Sequence, residues 1–218
     1  MEMKPAPEII SQRLKGQLSP AYLTLTSIIQ GVAFAFLATR VEGTYAQFDA
    51  TDWLLTGTTF VGFLTLWNEY LMQILMFVWM PTLVDSLVPF AFLATELFTA
   101  HFVFHSLRNW LLSLGLTFAV GIMASFVTSV QARNLPEENR DVVRALASLT
   151  LIRLVLGIVI MVLCLAAWAL YDVLRLEQVQ IVVALAALFA IVVFLVSSVP
   201  YWNRALAYAR GEYKRVAD

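Results

Sequence analysis

Residues 64–73 read LTLWNEYLMQ and lie inside a hydrophobic run over residues 53–80. Asn68, Glu69 and Gln73 stand there among side chains that are otherwise apolar or aromatic. Their meaning depends on the chain around them. Of its 218 residues, 61% are hydrophobic and 13% charged, whereas soluble domains are about half apolar and about a quarter charged. With a mean hydropathy of +0.80, the composition is that of an integral membrane protein. The run is therefore read as a membrane-crossing helix, and Glu69 as a carboxylate within the bilayer.

The same composition excludes several classes. A net charge of −1 gives no basic field that would gather nucleic acid. Cys164 is the single cysteine, so neither an intramolecular disulfide nor a thiolate metal cluster can form. No glycine-rich phosphate loop, HExxH or GxSxG motif occurs, so the usual hydrolase constellations are absent. The lysines Lys4, Lys15 and Lys214 all fall outside the apolar runs, which leaves no amine for a retinal Schiff base. His101 and His105 are four apart and can reach one site near a membrane surface. They are weak metal candidates, because a structural zinc site usually takes about four ligands. Two histidines on one helix face also cannot supply opposite axial ligands to a haem. No cofactor is expected.

A helix needs about 20 apolar residues to cross roughly 30 Å of hydrocarbon. The chain offers six such stretches, near residues 22–39, 54–76, 82–104, 110–130, 149–169 and 179–199. The expected fold class is thus all-α and polytopic, with a six-helix transmembrane domain over residues 21–200. A short connection containing Pro81 predicts a tight hairpin between the second and third spans. Residues 1–20 read as a cytoplasmic or interfacial segment, with Ile10, Leu14 and Leu18 forming one apolar stripe. Residues 131–148 read as a cytoplasmic loop that divides three spans from three, with a turn at Pro136 and the acidic residues after it starting a helix, and residues 201–218 read as a cytoplasmic tail. Placing both termini inside puts 11 of the 14 basic residues in the cytoplasm and leaves Arg40, Arg108 and Arg175 outside. The expected location is an inner or plasma membrane.

Ser113, Thr117, Gly121, Ser125 and Ser129 recur every fourth residue and stack on one face of the fourth span. Small residues let helices approach closely in lipid, so this face predicts tight helix packing, an oligomer seam or a pore lining. Ser27, Gly31 and Ala35 repeat the pattern in the first span, and the two faces are expected to pack together.

Depth decides which intramembrane charges can meet. From the helical rise, Glu69 sits about 8 Å from the inner boundary and Glu96 about 9 Å from the outer one, so they cannot share a proton. Arg153, Asp85 and Gln73 reach the level of Glu69, and Arg153 is its expected partner. Arg108, Arg40, His101 and His105 are the expected partners of Glu96, with Gln30 near mid-depth bridging the layers. Asp85 and Glu96 share one helix face, and Gly62, Glu69, Gln73 and Met76 share another. Acidic stripes with no lysine among the spans suit a small cation or a proton. Transport of such an ion, as a channel or carrier, is the expected function. The rival is a non-conducting subunit, sensor or scaffold in which the buried charges clamp helices together.

Overall fold

The computed structural model describes residues 6–77, 83–134 and 136–210 and is all-α. Its helices are α1 (Ala6–Thr44), α2 (Ala50–Met76), α3 (Leu83–Phe102), α4 (Leu107–Asn134), α5 (Pro136–Ala169), α6 (Gln180–Val196) and α7 (Ser198–Ala209). Local signals set several of their ends. At the start of α2, Asp49 and Asp52 form a reciprocal cap: the Asp52 amide donates to Asp49 Oδ1 over 2.9 Å, and the Asp49 amide donates to Asp52 Oδ2 over 3.1 Å. Pro136 opens α5, where a missing amide proton costs no helical bond. Between α5 and α6 the chain turns through Arg175, which takes a left-handed φ of 51°.

Among the described residues, four helical stretches are long and apolar enough to cross a membrane: Pro20–Gln47, Leu107–Val130, Asn139–Ala169 and Leu176–Tyr208. These make the chain a multi-pass integral membrane protein. The expectation of six spans is met in part. α2 has the length, but Asn68, Glu69, Gln73 and its threonines leave it less apolar, and the apolar stretch of α3 is the shorter Ser86–Phe102. Outward faces of α5 and α6 carry Leu151, Val155, Leu163, Leu185 and Phe189, all exposed. Such a surface is stable against lipid tails and not against water.

The helices form a ring in which α1 packs on α2, α2 on α6, α5 on α4, α4 on α3, and α3 on α1. α7 and a few contacts from α6 close the ring onto α5. Helices consecutive in the sequence alternate in direction, so some ring neighbours run the same way: α1 and α3 are parallel, since Gln30 meets Glu96 and Arg40 meets His101 further along both. α2 and α4 are parallel to each other, joined by Thr59 with Trp110 and by Gln73 with Thr128.

The second and third helices pack on each other over only part of their length: near the connection, Tyr70 and Ile74 of α2 meet Val88 and Phe92 of α3. Farther along, α1 stands between them, and Ala33 and Leu37 of α1, Phe63 of α2 and Ala100 of α3 bury one another there. The connection at residues 78–82, Pro81 included, lies outside the described residues. At the N-terminus the expected separate surface helix is instead the start of α1, a single helix of 39 residues that contains Pro20. The segment at residues 131–148 is helical on both sides of residue 135: α4 runs on to Asn134 and, as the sequence suggests, a helix starts at Pro136, so little of it is loop. Nor does the chain leave the bundle at residue 201. Tyr201 is buried, Trp202 Nε1 donates to Asn68 Oδ1 over 2.9 Å, and Arg204 Nη1 donates to Ser148 Oγ over 3.1 Å. Residues 211–218 lie outside the description.

Candidate functional site

A cavity of about 500 Å³ has walls from α2, α3, α4, α5, α6 and α7, and its lining runs out to the exposed Phe126 and Leu151. Two packed layers bound it. At one end Leu55, Val103, Trp110, Leu111, Cys164 and Ala184 form the largest buried cluster, with the Trp110 indole donating to Thr59 Oγ1 over 3.0 Å. Toward the other end Met72, Leu146 and Tyr201 pack together. The small-residue face of α4 turns inward: Thr117, Gly121, Ser125 and Ser129 line the cavity, and Ser113 is buried one turn beyond Thr117. The matching face of α1 does not meet it. Ser27, Gly31 and Ala35 are exposed on the outside of the ring, because α3 stands between α1 and α4 and takes the other face of α1. The expectation that the two small faces pack together is therefore corrected.

The cavity wall carries an ion pair. Arg153 reaches from α5 to Glu69 on α2, its Nη2 donating to Glu69 Oε1. Its Nη1 donates to Ser197 Oγ over 2.9 Å, and its Cζ stands 4.9 Å from the centre of the Phe194 ring. A bilayer makes an isolated charge costly, and here the guanidinium has a carboxylate, a hydroxyl and an aromatic face around it. The two partners differ in exposure: the Arg153 side chain is 7% exposed and that of Glu69 24%. Both line the cavity, and Glu69 is the more exposed of the two.

The other polar residues near Glu69 also reach further helices. Gln73 lines the cavity and accepts from Thr128 Oγ1 over 3.2 Å, while Asn68 faces α7 and receives the Trp202 indole. The Asp85 side chain lies outside the described residues. Ser197, Phe194 and Trp202 were not singled out in the sequence. The break between α6 and α7, in the serine pair and proline of "SSVP", is the signal that could have located Ser197.

Glu96 is elsewhere. It is fully buried between α3 and α1, and Gln30 Nε2 donates to its Oε1 over 2.7 Å. None of the expected cationic partners reaches it. Arg40 is held by His101 Nδ1, Arg108 donates to Asp172 Oδ2 over 2.9 Å at the surface, and the His105 ring meets the His101 carbonyl. The physical reason is the course of α1, which runs parallel to α3 and brings Gln30 to the level of Glu96 while carrying Arg40 past it. Gln30 is a direct partner of Glu96, not a bridge between layers.

His101 and His105 stack with ring centres 4.5 Å apart. Among the described residues there is no group of three or more histidine, cysteine, aspartate or glutamate side chains that could hold a metal ion. Compared with known proteins, the chain matches no family model, no curated protein and no solved structure.

Proposed function

We propose that the protein is a membrane channel or carrier for a small cation or a proton, and that Glu69 is the group that takes up the ion. One observation carries this reading: the Glu69–Arg153 pair stands on the wall of a cavity of about 500 Å³ that Thr117, Gly121, Ser125 and Ser129 also line. The pair is neutral as a whole, which lowers the cost of holding both charges in the membrane. An arriving cation or proton competes with Arg153 for the carboxylate, and the displaced guanidinium keeps Ser197 and the Phe194 ring. Uptake at Glu69 is in this way coupled to loosening of the α2–α5 contact.

The reading includes six crossings. α2, with 27 residues, is about 40 Å long, and α3 returns beside α1. Both termini are cytoplasmic by the distribution of lysine and arginine. The outward Ser27, Gly31 and Ala35 face suits close approach of a second copy.

Purified protein in liposomes tests the proposal. A proton or alkali-cation gradient should dissipate faster than in protein-free liposomes, and Glu69→Gln should return the rate to the protein-free level. Wild-type flux no faster than the empty-liposome control sinks the reading.

The engagement of both Arg153 Nη atoms favours a second reading, in which the pair is a fixed clamp and the chain a non-conducting subunit, sensor or scaffold. A partner that co-purifies and is lost on truncation after Arg210, together with absent flux, would support it.

A further inference from the structure

The buried contact between Gln30 and Glu96 is half complete. Both groups are planar with two polar atoms each, and only one hydrogen bond joins them, from Gln30 Nε2 to Glu96 Oε1. The two remaining atoms, Gln30 Oε1 and Glu96 Oε2, are both buried and without a hydrogen-bond partner. Both are oxygens. If Glu96 were ionised, both would be acceptors with no donor, and the carboxylate would be fully buried with no cation bonded to it. Each of those conditions is costly in a low-dielectric interior.

We propose that Glu96 is a buried proton-binding site: it carries an acid proton on Oε2 and donates it to Gln30 Oε1. That one proton satisfies both orphaned oxygens and closes a two-bond acid–amide ring. Its position is a matter of hydrogen assignment and not of heavy-atom placement, so no atom needs to move far. The surroundings suit a neutral acid. From α1 the nearest charged residue along the helix is Arg40, already held by His101. α2 presents Tyr70, whose buried hydroxyl has no hydrogen-bond partner and whose ring meets Phe92 edge-on at 5.4 Å, one turn before Glu96. Tyr22 of α1 belongs to the same apolar cluster as Tyr70 and Phe92. α4 has no titratable residue between Arg108 and Arg133. On α3 itself His101 faces Arg40, and the Asp85 side chain is not described. Glu96 does not line the cavity that holds Glu69. The inference is therefore independent of the transport reading.

Infrared difference spectroscopy on the detergent-solubilised full chain tests it. The carbonyl stretch of a protonated carboxyl should be present in wild type near neutral pH and be lost in Glu96→Gln. In Gln30→Leu the band should persist but move to higher frequency, because the acid carbonyl loses its N–H donor. Glu96→Gln should melt at the wild-type temperature, since an amide–amide ring reproduces both bonds. Three results overturn the proposal: no band that depends on Glu96, a Glu96→Gln chain that fails to fold, or a wild-type melting temperature raised by sodium or potassium over a bulky organic cation. The last, if abolished in Glu96→Gln, would assign the two oxygens to a metal cation.

Discussion

Trp110 of α4 donates its indole proton to Thr59 of α2 over 3.0 Å, with both side chains buried, and this bond crosses the ring at the end of the cavity. Trp110 belongs to the cluster that seals that end. Trp110→Phe keeps an aromatic ring and removes the donor, so thermal unfolding in detergent should show a loss of about 1–2 kcal/mol. Trp110→Ala also empties the site and should cost about 3–5 kcal/mol.

Arg153→Ala leaves the Glu69 carboxylate without its guanidinium partner. A buried pair broken on one side typically costs about 3–5 kcal/mol, whereas replacing both members with apolar residues is often close to neutral. The Glu69→Leu/Arg153→Leu double variant should therefore be more stable than Arg153→Ala alone. Denaturant titration of the single and double variants measures the coupling, and strictly additive losses would contradict a direct ion pair.

At Gly115 α4 lies close against α5. A Cβ built on it would stand 2.9 Å from Leu165 Cδ2 and 3.3 Å from Cys164 Cβ. Leu165 can yield at its tip, so Gly115→Ala should be a mild change. Gly115→Leu has no such escape and should destabilise by about 1–3 kcal/mol or more. A wild-type melting temperature in Gly115→Leu would mean that the two helices are not in this register.

Accessibility can separate a hydrated cavity from a dry one. Ser125→Cys and Ser129→Cys lie on the cavity lining and should react with a small charged thiol reagent in membranes, while native Cys164, buried in the sealing cluster, should not. Protection of the introduced cysteines equal to that of Cys164 would argue that water does not enter.

Class and composition are legible in the sequence because hydropathy over about 20 residues measures the cost of crossing lipid. The expected stretches at 110–130 and 149–169 fall within α4 and α5. Glu69 could be matched with Arg153 because each lies a countable distance from an end of its apolar run, so depth alone brings them level. Glu96 could not be matched in that way. Its partner Gln30 is on α1, whose length the sequence does not reveal, and a ruler started at residue 22 places it too far from Glu96. Orientation about a helix axis is equally hidden: the same four-residue spacing of small residues faces the cavity on α4 and the exterior on α1. Only the intrusion of α1 between α2 and α3, a consequence of packing among three helices, decides which way each turns.

α1 takes part in the ring, yet none of its described side chains lines the cavity. Its outward Ser27, Gly31 and Ala35 surface and the chamber behind α2 and α4 are therefore under separate constraints. Substitution on that surface can retune how the molecule sits among its neighbours in the bilayer without altering a single atom that a solute in the chamber would touch.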